Sequence, residues 1–263
     1  MPFTGPMNNS THSSIGGHCL LVTRPASQAA RLTQLLEQKG VATLQLPTLE
    51  IKPLPASEID NHKILNLDQY DAVIAISTHA ASIALEWIDR YWPQLPYSIQ
   101  WFAVGAATAA VLSQSVEAVQ VPTEGSNTEA LLALPAWERL SGKKVLILKG
   151  RGGRPLLEEQ LIQKGCRVET LDLYCRAMPA YSNIELATLF KDGFPDSILA
   201  TSIESLDNLY EILHDYRPQM ASIWLITASD RITKAARAKG FSKVHTASGA
   251  SGQAVIQALN VIA

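Results

Sequence analysis

The 263-residue chain has little cysteine, little charge and no long apolar run. Cys19, Cys166 and Cys175 are its only cysteines, an odd number at wide spacing, which excludes a disulfide framework and a zinc site built on paired cysteines. Cys19 and Cys166 lie in apolar stretches, where a small buried side chain fits. The six histidines are scattered, with no HExxH-type pair for a metal. Lys and Arg number 22 against 24 Asp and Glu, so a formal net charge of −2 gives the molecule no overall field for nucleic acid or an anionic membrane. Any anion it binds must be gripped locally. No apolar run reaches the ~18 residues needed to cross a bilayer. The opening, residues 1–17, is rich in Ser, Asn, Thr and Gly and lacks the basic start and apolar centre of a signal peptide. It reads as a disordered leader, with Met7 a candidate later start, on a cytoplasmic protein. Signature catalytic loops are missing as well: there is no GxxxxGK[ST], no GxGxxG, no nucleophile elbow, and no Ser-His-Asp set or carboxylate pair stands out.

What is present is a globular balance, 47% apolar and 17% charged, arranged as strand-type runs alternating with helical stretches. CLLVT (19–23) precedes a helix over 27–39 that Gly40 ends as a C-cap. TLQLPTLEI (43–51) reads as the next strand, followed by the Pro-bearing linker KPLPASE. YDAVIAIS (70–77), WFAVG (101–105) and VEAVQVP (116–122) each lead to a helix, near 79–90, from Ala106, and near 128–137. The order then recurs. KVLILKG (144–150), VETLDLY (168–174), PDSILATS (195–202), IWLITAS (223–229) and KVHTAS (243–248) are the later strands. Helices at 155–164, to about 214, at 230–239 and at 252–262 go with them. Ten strands alternating with helices predict an α/β protein with parallel sheets covered on both faces, in doubly wound, flavodoxin-like layers.

A shift of about 125 residues superposes the two halves of the chain. Leu32, Leu36, Gln38, Lys39 and Gly40 fall on Leu157, Leu161, Gln163, Lys164 and Gly165, and Asp71, Ala75, Ser77 and Glu86 fall on Asp196, Ala200, Ser202 and Glu211. Each match alone is cheap, but together they keep one order of strands, helices and caps. Five strands per half suffice for two small sheets, with a ligand expected in a cleft between them.

Several strands end at a small or hydroxylic residue before a helix: Thr23, Ser77-Thr78, Gly105, Gly150, Thr201-Ser202 and Ser229. Ligands of open parallel sheets bind at such carboxyl ends, where free N–H groups and the helix dipole favour anions. The same residues serve equally well as plain N-caps. KGRGGRP (149–155) is the most distinctive segment, its glycines at a strand-to-helix turn beside the cations Lys149, Arg151 and Arg154. It suits a carboxylate or phosphate, or is simply a tight basic surface turn. Tyr174, ending VETLDLY before the polar Cys175-Arg176, is the main acid–base candidate, although a tyrosine there also fits plain packing.

From Cys19 to the end the chain resembles the uroporphyrinogen-III synthase family. LLVTRP, YDAVIAIS, FAVGAATAAVL, VPTEGSNTEALL, KVLILKGRGGRPLL, VETLDLYCRAMP, DSILATSIESLDNL and ITASDRITKAARAKGF occur in the family's order. A Gly-x-x-Thr pattern common in the family is replaced by ITASDR, where Ser229 stands nearest the threonine. The resemblance implies a cofactor-free lyase that dehydrates, inverts and cyclises hydroxymethylbilane to uroporphyrinogen III. Tyr174 matches the family's tyrosine and would assist the departing hydroxyl; substrate binding would fall on Arg24, Ser77, Thr78, Gly105, Lys149, Arg151, Thr201, Ser202 and Ser229. It also implies exchanged halves: residues 18–53 with 178–263 in one five-stranded domain, 54–177 in another, and two linkers side by side as a hinge. A monomer free of nucleic acid and membrane is expected, with transient contact with hydroxymethylbilane synthase left open. The residues alone also fit a two-lobed small-ligand sensor or carrier, or a nucleotide- or phosphosugar-dependent transferase using KGRGGRP.

Overall fold

The computed structural model describes residues 15–263. The expected leader lies outside the described residues up to residue 14. Its last part departs from the expectation: Ile15 is buried, and the Gly17 N–H donates to Gly40 O at 3.0 Å from a left-handed turn (φ +87°) that glycine adopts without strain.

Eleven strands occur among the described residues: β1 (Cys19–Val22), β2 (Ala42–Gln45), β3 (Glu50–Pro53), β4 (Ala72–Ala75), β5 (Gln100–Ala103), β6 (Val119–Gln120), β7 (Lys144–Gly150), β8 (Arg167–Ala177), β9 (Ser197–Ala200), β10 (Trp224–Thr227) and β11 (Val244–Thr246). One sheet has the order β2-β1-β9-β10-β11 and the other β3-β8-β7-β4-β5-β6. The pairs β1–β2, β1–β9, β9–β10, β10–β11, β4–β5, β4–β7, β5–β6 and β7–β8 are all parallel. Short runs such as AVIA and SILA, apolar but for Ser197, are buried at every position, as strands covered on both faces must be. Leu20 and Val22 pack with the helices Ala26–Glu37 and Gly252–Ile262, while Leu21 packs on the opposite face with Ile203–Ile212 and Asp230–Ala238. In the other sheet Val73 and Ala75 meet the helix Thr78–Ile88, and Ala72 and Ile74 meet Leu156–Gln163.

The chain divides into two compact units, one of residues up to Glu50 with Met178–Ala263, the other Ile51–Ala177. Leaving β3 aside, each sheet takes two strands from one half of the repeat and three from the other. Numbered by position within their own half (β1, β2, β4, β5, β6 and β7, β8, β9, β10, β11), the strands of both sheets read 2-1-3-4-5, the flavodoxin-like order, although in chain order the second sheet reads 5-4-1-2-3.

The repeat extends to individual hydrogen bonds. Asp71 donates its N–H to Lys144 O at 2.9 Å and accepts the Lys144 N–H on Oδ2 at 2.8 Å. Asp196 does the same with Cys19, at 2.9 and 2.8 Å. Gly142 N–H donates to Gly165 O at 2.8 Å, matching Gly17 and Gly40.

Three features differ from expectation. The run 43–51 is two strands, not one: Pro47 offers no N–H to a ladder, and Thr48 turns inward, fully buried, donating its N–H to Thr23 O. The resulting β3 joins the edge of the second sheet beside β8, giving six strands where five were expected, and Ile51–Pro53 side with that unit. The helix expected over 128–137 stops at Leu132 and resumes as a 3₁₀ turn, Pro135–Arg139, because proline cannot continue a helix. Finally, β8 continues through Ala177, so Tyr174 lies inside its strand and does not end it. Two short helices, Glu58–Leu65 and Asn183–Leu189, carry capping boxes at Ser57/Asp60 and Ser182/Glu185.

The Lys144 N–H bond, with the Lys143 ammonium 3.0 Å away, holds the Asp71 carboxyl below its ordinary pKa. A carboxyl depressed in the folded state stabilises it above the ordinary Asp range and loses that contribution as pH falls through the depressed value. Asp71→Asn should therefore lower stability by about 1 kcal/mol at neutral pH. Urea unfolding of both proteins from pH 7 down to pH 3 measures this, and the gap should narrow at the acid end.

Candidate active site

Because the strands of each sheet run parallel, their carboxyl ends lie along one edge, and the loops leaving that edge carry the candidate residues. In the second unit the edge is built around Tyr174. The pairing of β7 with β8 slips between Lys149 and Gly150: Lys149 faces Asp172, but Gly150 faces Tyr174, leaving Leu173 as an extra residue. The bulge lays the Tyr174 ring over Gly150. A Cβ at position 150 would sit 2.5 Å from ring atoms Cε2 and Cζ and 3.0 Å from the hydroxyl. The Arg151 N–H donates to Tyr174 O at 2.7 Å, fixing the backbone of the same pair.

Tyr174 is 5% exposed, and its hydroxyl lies 3.0 Å from Ser77 Oγ. Ser77 is the N-cap of the helix Thr78–Ile88 and accepts the Ala80 N–H at 3.1 Å. Thr78 and His79 are half-buried in the first turn of that helix, and the His79 ring stands 5.8 Å from the Tyr174 ring, tilted by 58°. Ser77, His79, Gly150 and Tyr174 are thus brought together.

Gly105 caps the helix Ala106–Leu112 in extended backbone (φ −176°), so its lack of a side chain answers to space and not to strain. A Cβ there would lie 2.6 Å from Ser126 Oγ, in the TEGSN loop. In the KGRGGRP turn, Gly152 and Gly153 are both left-handed, at φ +82° and +86°. Lys149 is half-buried, and Arg151 is exposed with Nε 4.0 Å from Asp172. Arg154 pairs with Glu129 through two hydrogen bonds, at 2.8 and 3.3 Å, so its charge is answered locally.

In the first unit, Arg24 follows β1 and donates to Ala250 O. It lines a cavity of about 710 Å³ with Arg31 and Lys39, between the helices Ala26–Glu37 and Gly252–Ile262. Partial burial lowers the Arg24 pKa from its ordinary value, without making deprotonation accessible at neutral pH. Thr201 and Ser202 follow β9, and Ser202 caps the helix Ile203–Ile212 by accepting the Ser205 N–H at 3.0 Å. Ser229 is also an N-cap, of Asp230–Ala238, but its side chain makes no capping bond. Thr23, a strand-end hydroxyl like these, is turned into the interior: it donates to Leu199 O at 2.6 Å and meets Ser205 Oγ at 3.0 Å. Among the described residues, no group of three or more His, Cys, Asp or Glu side chains is placed to hold a metal ion.

His79 and Gly150 were not singled out for the Tyr174 environment by the sequence. His79 had a signal in its place directly after the Ser77-Thr78 strand end, whereas the Gly150–Tyr174 contact depends on a bulge that leaves no mark in the sequence.

Residues 30–257 match the family model described as "Uroporphyrinogen-III synthase HemD". The chain belongs to the uroporphyrinogen-III synthase family. The uroporphyrinogen-III synthase of Escherichia coli is 30% identical over 246 residues, 91% of this chain and 99% of that protein. That of Salmonella typhimurium is 30% identical over 249 residues, again 91% and 99%. The crystal structure of uroporphyrinogen-III synthetase from Helicobacter pylori shares the fold, with a TM-score of 0.58 at 15% identity over 91% of this chain and 97% of that one. Membership of this family does not favour the sensor, carrier or sugar-transferase readings.

Because Gly150 makes room for the Tyr174 ring, Gly150→Ala should displace that ring and destabilise the protein by roughly 1–3 kcal/mol. Thermal unfolding and a crystal structure of the variant check both parts. An unmoved ring would show that the ring does not need the space.

Proposed function

We propose that this chain is a uroporphyrinogen-III synthase that closes hydroxymethylbilane with inversion of its last ring. The observation that carries the proposal is the family match along almost the whole chain, with relatives of that name spanned nearly end to end. The reaction balances without an oxidant or reductant. A pyrrole nitrogen lone pair expels the hydroxyl group, the C–O bond breaks, and the Tyr174 phenol gives its proton to the leaving oxygen, so that water departs and an azafulvene remains. The substituted α-carbon of the terminal ring attacks the azafulvene methylene, forming a spiro intermediate. The bond from that carbon to its original methylene then breaks, leaving a second azafulvene. The ring's other α-carbon attacks this to close the macrocycle, and the proton that carbon loses returns to the tyrosinate. The position of Tyr174, with its hydroxyl beside a helix N-terminus at the carboxyl edge of the sheet, supports this role.

Substrate carboxylates are assigned to Thr78, Gly105, Lys149 and Arg151 in one unit and to Arg24, Thr201, Ser202 and Ser229 in the other; Ser77 of the expected set is left out, because its hydroxyl meets the Ala80 N–H and Tyr174. The support is their place after strands, where backbone N–H groups and helix dipoles favour anions. Ser229 fits best among the serines, since its hydroxyl is not used as a cap. A monomeric, cytoplasmic enzyme in transient contact with hydroxymethylbilane synthase belongs to the same proposal and rests on the family resemblance.

Purified protein given hydroxymethylbilane, with no added metal or nucleotide, should yield the type III isomer by chromatography of the oxidised products. Type I product alone from folded protein would sink the proposal. Tyr174→Phe should slow turnover by roughly 10²-fold, the lower range for a positioned proton donor, and an unchanged rate would remove Tyr174 from the mechanism.

A further inference from the structure

We infer that Ser77 is a positioning residue for Tyr174, aiming the phenol proton outward and holding the charge that develops when it leaves; this rests on the synthase reading above. A serine hydroxyl has one proton and two lone pairs. One lone pair of Ser77 Oγ accepts the Ala80 N–H at 3.1 Å, and Tyr174 Oη lies 3.0 Å away. The Tyr174 ring has little freedom to leave this partner, with the Gly150 backbone against it and the His79 ring 5.8 Å from its centre. A phenol that donates to a leaving oxygen still accepts one hydrogen bond on its own oxygen, and Ser77 O–H is placed to supply it. As the proton departs, negative charge grows on Oη beside the first turn of the 11-residue helix Thr78–Ile88. There the Ser77 proton and the positive end of the helix dipole both oppose that charge. A bond that strengthens as charge develops raises turnover and leaves ground-state binding alone. This separates the inference from two plainer roles for Ser77, a direct grip on substrate or a helix cap only.

The test is a double-mutant cycle on the full-length protein with hydroxymethylbilane, using Ser77→Ala, Tyr174→Phe and the pair, with Ser77→Thr as the conservative control. Ser77→Ala should lower kcat about tenfold, the size of one hydrogen bond to a charged group, with KM within about twofold. In the Tyr174→Phe background it should lower kcat no further, and Ser77→Thr should restore most of the rate. Loss of the cap would reduce the unfolding temperature equally in both backgrounds, and so is separated from the kinetic effect. If Ser77→Ala does not fold, Ser77→Gly removes the hydroxyl while keeping a residue tolerated at an N-cap. An equal fall in kcat in both backgrounds, or a rise in KM in place of a fall in kcat, overturns the inference while the synthase reading stands. Wild-type protein that makes no type III isomer overturns both.

Discussion

Two carboxylates make the same contact at the same point of the two sheets, and the architecture depends on it. Asp71 takes the N–H of Lys144, and Asp196 takes the N–H of Cys19. Each aspartate stands just before the third strand of a 2-1-3-4-5 sheet and grips the first residue of the first strand. In both cases the two partners come from different halves of the repeat. The bond therefore adds to the strand ladder at the start of the seam where one half meets the other, β4 on β7 and β9 on β1. With the ladders in register, the carboxyl ends of all the strands fall into line, and the loops that carry the candidate residues follow.

Much of the fold was legible because the strands are short, apolar and buried on both faces, and because Gly40, Gly165 and Gly240 mark helix ends by a conformation that glycine favours. The exchange of strands between halves was not legible from periodicity, since both pairings use the same apolar strands; it came from family resemblance. The break at residues 46–49 was missed because Leu46 and Thr48 both turn inward and the segment reads as one apolar run. Pro47 was the available signal. The capping pairs Ser57/Asp60 and Ser182/Glu185 were equally readable marks of two helices absent from the expected elements.

The candidate site was legible by type and not by arrangement. A hydroxyl after a strand is an N-cap, a ligand contact or both, and sequence cannot distinguish them. The structure separates them by partner: Ser202 and Ser77 cap, Ser77 also meets Tyr174, Thr23 is bonded inward, and Ser229 caps nothing with its side chain. The bulge that sets Tyr174 against Gly150 arises from the register of two strands, which no local pattern encodes.

The central claim is a division of labour in which Tyr174 assists departure of the hydroxyl group, while ring inversion is enforced by how the substrate is held at the strand ends. The measurement that tests it most directly is the isomer ratio formed by Tyr174→Phe under conditions where spontaneous closure is subtracted. The account predicts slower turnover with the type III isomer still dominant among enzyme-formed products. A shift of those products to the type I isomer would contradict it, because Tyr174 would then govern which carbon is attacked as well as how fast water leaves.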